Sequence, residues 1–335
     1  MPSTQIAAGR AFIYVNNIGR ISRSALGFRH PVGLARGKGD VLYVANWGDE
    51  PAPNARITKC ILGTQEWIAD LGKAGTGEDE FLWPGGLAAD SQENLYITDQ
   101  SADRVISYDK DGKFRGHWGN HGSENGQLHG PSGLAFDADE NLFVVDTRNH
   151  RVQKLTKDGK FLGAFGSKGS GPGQFNMPWG VAVDKDGDVY VADWGNSRMQ
   201  KLTAQGQHLH TFGRFGHADG ELDHPSDVAV DKDGDVYVAD WGNNRVVVYE
   251  PDGTYLATLV GDASNLSAWA QASVDSNPDL AKARARVDLE PEWRLRRPAA
   301  VYVGDDYKII IAEAQHMRVQ IYEKDPAYFE AQFTL

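Results

Sequence analysis

The fold of this chain is decided by two stretches, Met177-Pro-Trp-Gly-Val-Ala-Val-Asp184 and Val189-Tyr-Val-Ala-Asp-Trp-Gly-Asn196, which recur 47 residues further on. The second copies are His224-Pro-Ser-Asp-Val-Ala-Val-Asp231 and Val236-Tyr-Val-Ala-Asp-Trp-Gly-Asn243. The unit occurs six times in the 335 residues, and its prolines are Pro31, Pro84, Pro131, Pro178, Pro225 and Pro298. Self-similarity at such a period indicates a repeat protein in which each copy is one supersecondary unit.

Each unit has the pattern of four antiparallel strands. Short segments rich in Val, Tyr and Phe alternate with Gly or Asp-Gly turns, which is typical of strands and hairpins rather than helices. In the fourth unit the strands are predicted near residues 180–184, 189–192, 198–202 and 208–212. Four-stranded sheets that repeat six times and cannot bury both faces alone predict an all-β fold, a six-bladed β-propeller around a channel.

Polar residues recur at fixed distances from the proline. Fifteen residues after it stand Asn46, Asp99, Asp146, Asp193, Asp240 and Glu313. An arginine follows five residues later in every unit except the first, where an insertion at about Asp49 to Pro53 moves it to Arg56. Because the blades repeat this pair, we interpret it as a structural brace. The runs Asp184-Lys-Asp-Gly-Asp188 and Asp231-Lys-Asp-Gly-Asp235 are interpreted as hairpin turns, since the downstream glutamate of a calcium loop is absent.

The repeated stretches, read as Pro-x-Gly-[Val/Leu]-Ala-x-Asp, Val-Tyr-Val-Ala-Asp-x-x-Asn-x-Arg-Val and a Gly-x-x-Gly connector, resemble the NHL repeat family over about residues 30–335. The resemblance implies a six-bladed β-propeller. Among such propellers the chain is loosely similar to the peptidylglycine amidating lyases, whose zinc-ligand histidines directly follow the blade proline. Here His30 and His224 precede the proline, and a one-residue shift in an extended segment turns a side chain to the other face. This departure argues against that zinc site and that reaction.

The repeat boundaries predict a single domain with an unusual closure of the ring. The predicted units are an N-terminal closing strand and connector at 1–29, blades at 30–72, 83–119, 130–166, 177–213, 224–260 and 297–335, and a helical insertion at 262–296. Both Phe12 to Val15 and Ala327 to Phe333 align with the outermost strand of the last blade. We expect the N-terminal strand to take that edge, since an open ring leaves unpaired strand edges. The alternative is a five-stranded final blade.

The segment between Gly261 and Pro298 is helical in character. Asn277 is a good cap, Pro278 suits the first helical position, and Pro291 is expected to stop the run. Leu280, Ala283 and Val287 fall on one face of this helix, and a shorter helix near residues 266–274 places Trp269 on its apolar side. Two interpretations stay open: a lid over the channel mouth, or a surface element that seals the last blade.

Composition excludes several classes of partner. The formal net charge is −12, which argues against nucleic acid and anionic membranes. The single cysteine, Cys60, excludes disulfides within the chain and cysteine-based zinc clusters. No apolar run is long enough to cross a membrane and no leader pattern opens the sequence, so we expect a soluble, cytoplasmic protein, as far as the given sequence goes.

The candidate site comes from positions at which the blades differ. His30, His224 and Arg297 directly precede blade prolines in blades one, five and six, which are neighbours in the ring, so the three are expected to form an arc at the channel mouth. His316 and Glu313 replace the usual Asn and Asp and are expected beside this arc. Two or more histidines, an arginine and a carboxylate are suited to binding an anion, to acid–base chemistry, or to holding a divalent metal such as Zn or Ca. The alternative is that each is a loop residue with its own local hydrogen bond.

Tryptophans are the second feature of the expected mouth. Trp83, Trp179, Trp194 and Trp241 are candidate ligand contacts, while Trp47, Trp194 and Trp241 share one loop position that suits either packing between blades or the mouth. Two classes of function follow. The first is a small polar or anionic ligand site, with lyase or hydrolase chemistry by His30, His224 and His316 and an anion clamp by Arg297. The second is a non-catalytic propeller whose aromatic mouth grips a peptide or protein.

Overall fold

The structure is a computed structural model that describes residues 4–22, 26–49 and 54–328. Two strands, β1 (Thr4–Ala7) and β2 (Arg10–Ile18), precede the first blade. Blade one has β3 (Pro31–Arg36), β4 (Val41–Asn46), β5 (Arg56–Ile61) and β6 (Trp67–Leu71). Blade two has β7 (Pro84–Ala89), β8 (Leu95–Asp99), β9 (Arg104–Tyr108) and β10 (Phe114–Trp118). Blade three has β11 (Pro131–Phe136), β12 (Leu142–Asp146), β13 (Arg151–Leu155) and β14 (Phe161–Phe165).

The remaining blades follow the same plan. Blade four has β15 (Val181–Val183), β16 (Val189–Asp193), β17 (Arg198–Leu202) and β18 (His208–Phe212), which confirms the four strands expected there. Blade five has β19 (Pro225–Val230), β20 (Val236–Asp240), β21 (Arg245–Tyr249) and β22 (Tyr255–Leu259). Blade six has β23 (Pro298–Val303), β24 (Lys308–Glu313) and β25 (Arg318–Asp325). Every sheet is antiparallel, and in blades one to five the strands lie in chain order, so the predicted six-bladed propeller is confirmed.

The N-terminal strand closes the ring. β2 pairs with β25 from Ala11 opposite Asp325 to Ile18 opposite Val319, and thus takes the outer position of blade six as expected. β1 folds back on β2, so this blade has five strands. The extra strand therefore comes from the N-terminus. The competing stretch, Ala327 to Phe333, lies outside the described residues from position 329 onward.

The core consists of six apolar clusters, one between each pair of neighbouring blades. Alternate residues of one strand enter different clusters, because side chains in a strand point to opposite faces in turn. In β24, Ile309 and Ile311 pack towards blade five, whereas Ile310 and Ala312 pack towards blade one. Each sheet thus buries both faces against its neighbours, which explains why the unit repeats until the ring closes.

The expected acid–arginine brace is present in the blades that carry it. Arginine Nε lies 2.8 Å from the carboxylate of Asp146, Asp193 and Asp240, 2.6 Å from Glu313, and 3.9 Å from Asp99. The guanidinium of Arg151 also donates to the carbonyls of Glu124 and Gln127 in the connector before its blade. The brace therefore ties the loop between the second and third strands to that connector, and its structural interpretation is confirmed.

The inner strands of neighbouring blades contact each other at a layer of glycines. Gly33, Gly86, Gly133 and Gly180 occupy the second position after the blade proline, and a Cβ atom added at any of them lies within 3.0 Å of backbone of the next blade. At Gly180 the added Cβ is 2.5 Å from the Cα of Asp227. Glycine is required here by the close approach of two backbones.

We predict that Gly180→Ala lowers the free energy of unfolding by about 1–3 kcal/mol or more, because overpacking forces backbone apart. Gly163→Ala is the matched control, since its added Cβ meets nothing within 4 Å and lies on the outer strand β14. Denaturant unfolding of both variants measures the difference. Equal midpoints for the two variants contradict the proposed contact between inner strands.

The helical insertion contains α1 (Ala268–Asp275), α2 (Pro278–Arg284) and α3 (Glu290–Trp293). Asn277 caps α2 as expected, its Oδ1 accepting from the backbone of Asp279 and Leu280. Two expectations are wrong. α2 ends at Arg284, and Pro291 lies in the first turn of α3, where a proline is well tolerated because the backbone donor it lacks has no helical partner. Leu280 and Val287 are exposed, so the expected apolar face of α2 is not buried.

The insertion packs against the outer seam between blades six and one. The Trp269 ring is buried, lies 5.4 Å from the Phe28 ring and donates to the carbonyl of Gln65, in the turn between β5 and β6. Ser267 donates to the carbonyl of Gly19, which follows the outer strand β2. These contacts favour the seal over the lid. Within the part of the chain that the structure describes, no helix has both the length and the apolar character needed to cross a membrane.

Candidate functional site

Three adjoining cavities lead from one end of the propeller into its axis. The mouth cavity, about 690 Å³, is lined by loops of blades one, two, five and six. A narrower throat of about 160 Å³ shares Trp47, Trp241 and Ala314 with the mouth. The channel, about 280 Å³, lies between the inner strands and shares Trp179 and Ser226 with the throat. The volume of the mouth is typical of a small-molecule site.

Five of the six residues that directly precede the blade prolines share an unusual backbone conformation. His30, Gly130, Met177, His224 and Arg297 all have φ between 51° and 59°, in the left-handed region. This conformation is uncommon for residues other than glycine. The side chains of His30, His224 and Arg297 each contact a residue of the preceding blade. Of these five residues, His30 and Arg297 line the mouth cavity.

Arg297 is the cation of the mouth. Its guanidinium carbon lies 4.5 Å from the centre of the Trp241 ring, which fixes the side chain by a cation–π contact. Its backbone N–H donates to Asn244 Oδ1. The side chain is exposed at the cavity, and none of the described carboxylates forms an ion pair with it. Arg297 thus offers its donors to a ligand.

His30 lies on the same cavity. Its Nδ1 is 3.2 Å from the carbonyl oxygen of Ala314, an acceptor that assigns the proton of a neutral ring to Nδ1. The Nε2 lone pair is then available as a base or hydrogen-bond acceptor. The structure therefore brings together two members of the expected arc, His30 and Arg297.

His224 is separate from this pair. Its ring lies 4.2 Å from that of Trp194, its Nδ1 contacts the carboxylate of Asp223, and it does not line any of the three cavities. His224 and Arg297 occupy equivalent positions in neighbouring blades. Each contacts a tryptophan of the preceding blade, but only Arg297 lines the mouth. His224 therefore contacts the throat only through Trp194 and does not line it.

Glu313 and His316 require a correction, because neither lines the mouth. Glu313 is fully buried and accepts from Arg318, Gln320, the backbone of Arg296 and His316. His316 Nδ1 lies 3.0 Å from Glu313 Oε2, in the role that Asn149 has beside Asp146. The two residues that differ from the other blades preserve the brace with different side chains.

The expected tryptophans are divided between the cavities. Trp83 lines the mouth and is 45% exposed, while Trp179 and Trp194 line the throat, with ring centres 6.2 Å apart. Trp241 lines both cavities, and so does Trp47, for which the sequence left packing and mouth open. Four indoles therefore surround the throat.

Metal binding by histidines has no support in the arrangement. Nowhere in the described ranges do three or more His, Cys, Asp or Glu side chains come together in a way that suits a metal ion. His30, His224 and His316 each contact a different group, namely a carbonyl, the Asp223 carboxylate and the Glu313 carboxylate. These contacts match the local hydrogen bonds of the alternative interpretation.

Asp227 is a polar residue of the channel that the sequence comparison missed. It occupies the second position after the proline, where four blades have glycine and blade six has Ala300. Its Oδ2 accepts from the backbone of Val301 at 3.0 Å, and the residue is partly exposed and lines the channel. Burial raises the pKa of Asp227 to about 7, against two backbone hydrogen bonds that lower it. The departure from glycine is visible in the sequence, two residues after the proline of the fifth repeat.

The fold and the repeated brace define a class, the six-bladed β-propellers built from four-stranded repeats. The sequence model of the NHL repeat matches three segments, residues 128–155, 175–202 and 222–249, which lie in blades three, four and five. The chain is therefore an NHL-repeat six-bladed β-propeller. Among curated proteins, no sequence matches it.

Solved structures with the same fold are distant in sequence. A structural genomics protein of unknown function from Bacteroides thetaiotaomicron superimposes with a TM-score of 0.63 at 17% identity, over 94% of this chain and 76% of that one. A gluconolactonase from Xanthomonas campestris gives 0.60 at 13% identity, over 95% and 91%. A virginiamycin B lyase from Staphylococcus aureus, solved with quinupristin, gives 0.57 at 12%, over 94% and 99%. At these identities the likeness concerns the fold alone.

Proposed function

We propose that this propeller binds a small anionic ligand, such as a carboxylate, in its mouth cavity. The observation that carries the proposal is Arg297, a cation held over Trp241 at the edge of a 690 Å³ cavity without a carboxylate partner among the described residues. A guanidinium fork matches the two oxygens of a carboxylate. The indoles of Trp47 and Trp83 add apolar surface for the rest of the ligand.

Lyase or hydrolase chemistry is the finer part of the proposal. His30 supplies a base through Nε2 at the same cavity, next to the group that binds the anion. General acid–base catalysis by histidine requires such a placement. A lyase and a gluconolactonase share the fold, which supports the propeller as a scaffold for such reactions, although a fold by itself does not determine a function.

Benzoate and its neutral isostere benzamide test the anion site by ligand-observed NMR. We expect wild-type protein to bind benzoate at least about tenfold more tightly than benzamide, since a hydrogen bond to a charged group contributes about 1.5–3 kcal/mol. Arg297→Gln should abolish the preference. Arg296→Gln, the same charge change at the adjacent residue outside the cavity, should leave it intact.

Several outcomes contradict the anion site. These are absence of benzoate binding, equal affinity for benzoate and benzamide, and an equal loss in both variants. Equal affinity would favour the second function, an aromatic mouth that grips a peptide, for which the exposure of Trp83 (45%) and Trp47 (38%) is the specific observation. Binding of a peptide that is insensitive to Arg297→Gln would then establish that function.

A further inference from the structure

The throat has the composition of a site for a positively charged group. Trp47, Trp179, Trp194 and Trp241 come from blades one, four and five and surround a cavity of about 160 Å³. The rings of Trp179 and Trp194 are inclined at 40° to each other. Indole is the best of the aromatic side chains for a cation–π contact, and cages of aromatic rings bind quaternary ammonium groups.

One of these rings already accepts a cation in this structure. Arg297 lies 4.5 Å above Trp241, on the side of the mouth. Arg297 does not line the throat, which leaves the throat lining with tryptophans, Gln100, Ser226 and aliphatic residues. Among the residues that the structure describes, none that lines the throat carries a positive charge that would repel a ligand cation.

Asp227 lies directly below this cage. It follows Ser226, which lines both throat and channel, and it is the sole Asp or Glu among the described residues of the channel wall. Ion pairs with Lys or Arg are absent for Asp227 in the described chain, and the glycine layer beside it leaves its carboxyl among backbone and aliphatic groups. A carboxylate in such surroundings is unfavourable unless a partner compensates its charge.

Two other titratable side chains line the channel, Arg36 and Tyr302. Arg36 is the last residue of β3 and Tyr302 the fifth of six in β23, whereas Asp227 is the third of six in β19. Asp240, in the strand paired with β19, is bonded to Arg245, and Asp193, in the neighbouring strand β16, to Arg198. The Asp227 carboxylate is therefore available to a ligand group that enters from the throat.

We infer that the throat and Asp227 together bind an alkylammonium group. A small inorganic cation is less suitable, because one carboxylate with no further clustered acidic or histidine ligands is a poor metal site. An anion is less suitable as well, because the Asp227 carboxylate would repel it. A cation with an apolar surface satisfies both the indole faces and the carboxylate.

The charged group of this site, Asp227, differs from that of the anion site, Arg297, although both sites share Trp47 and Trp241. Combined with the proposed function, on which this second step rests, it identifies the ligand as dipolar, with an acidic group in the mouth and an ammonium group in the throat. The net charge of −12 favours approach of the cationic end.

Choline and its neutral isostere 3,3-dimethylbutan-1-ol test the inference directly. At pH 8.5, above the pKa of Asp227, we expect choline to bind the wild-type protein at least tenfold more tightly than the alcohol, measured by titration calorimetry or tryptophan fluorescence. Asp227→Asn should reduce choline affinity at least tenfold without lowering the melting temperature, since it removes a desolvated charge and keeps the shape. Asp219→Asn, at an exposed acidic residue, is the charge-matched control.

Two results overturn the inference: equal binding of choline and the alcohol, or choline affinity that Asp227→Asn leaves unchanged. Arg297→Gln should leave choline affinity equal or higher. Failure of this site and failure of the anion site are therefore distinguishable, because choline reports on Asp227 and benzoate on Arg297.

Discussion

Replacing Lys324 with alanine should lower the free energy of unfolding by about 3–5 kcal/mol, the range found when a buried ion pair loses one partner. Lys324 is the last but one residue of β25 in blade six, and its side chain reaches the turn between β19 and β20 of blade five. Its side chain has no exposed surface, and its Nζ lies 2.6 Å from Asp231, 2.7 Å from Asp235 and 3.0 Å from Asp233.

The cost arises from the carboxylates that remain. Asp231 and Asp235 are buried in the turn between β19 and β20, and without Lys324 their negative charges lie close together in a region with little water. Arg10 of β2 still contacts Asp235, and Tyr237 still donates to Asp231, so the network is only partly compensated. Two of the contacts, those from Lys324 and Arg10, connect blade five to the blade that closes the ring.

Lys201→Ala is the matched control. Lys201 has the same role in blade four, 3.3 Å from Asp184 and 3.0 Å from Asp188, but it comes from the same blade and its side chain is 19% exposed. We expect a loss of about 1 kcal/mol, because water can solvate the remaining charges. Denaturant unfolding at pH 7 measures both variants. Equal losses contradict the special role of the buried network between blades.

The network also gives a pH dependence. Burial by itself lowers the pKa of Lys324, but hydrogen bonds and charges from Asp231, Asp235 and Asp233 outweigh it, so the pKa is raised above its ordinary value. A lysine whose pKa is higher in the folded state contributes stability that is present below the unfolded pKa and is lost as the pH rises through the folded pKa. The difference between wild type and Lys324→Ala should therefore persist at neutral pH and shrink in strong alkali.

The fold was predictable from local spacing because each blade is specified by its own residues. The proline, the acidic residue and the arginine of one repeat contact each other or the adjacent connector, so their spacing determines the geometry. Asp146 and Arg151 illustrate this, since both the pair and its role followed from recurrence alone. Closure of the ring by β2 was also predictable, because the unpaired outer edge of the last blade requires a partner strand.

The site was less predictable because it depends on contacts between blades. His30, His224 and Arg297 occupy equivalent positions, yet their partners are Ala314, Trp194 and Trp241 of the preceding blades, and these partners decide which side chain reaches the cavity. The position at which the helical insertion packs depends likewise on Phe28 and Gln65, two residues far from it in sequence. Neither set of contacts produces a sequence pattern within one repeat.

Asp227 was missing from the predicted site for a different reason. Its signal was present, because aspartate replaces glycine at a position where the ring brings two backbones together. Asp227 lies one residue beyond the two positions that flank the proline, from which the candidate site was predicted. In a propeller the inner strand faces the channel, so departures from the consensus along its whole length carry information about ligands, and not only those at the rim.

Removal of residues 1–18 should prevent stable closure of the ring, and a peptide of the same sequence should restore it. β2 contributes Phe12 and Ile18, both without exposed surface, to two different apolar clusters, and Arg10 to the buried network of blade five. Without the strand, β25 has an unpaired edge and the clusters on both sides of blade six lose apolar area. Addition of the peptide supplies a strand to that edge, a known mode of peptide recognition.

Melting temperature with and without the peptide measures this complementation, and a scrambled peptide is the control. If the truncated chain does not fold, the same point is tested by Phe12→Ala, for which a loss of about 3–5 kcal/mol is expected. Val15→Ala on the same strand should change stability by less than about 0.5 kcal/mol, since Val15 is 47% exposed. A truncated chain as stable as the full one, or equal effects of the two substitutions, would show that the inter-blade contacts of the other five blades suffice to hold the ring. The expected result is that they do not, because a propeller gains the burial of both faces of every sheet only when its first and last blades meet.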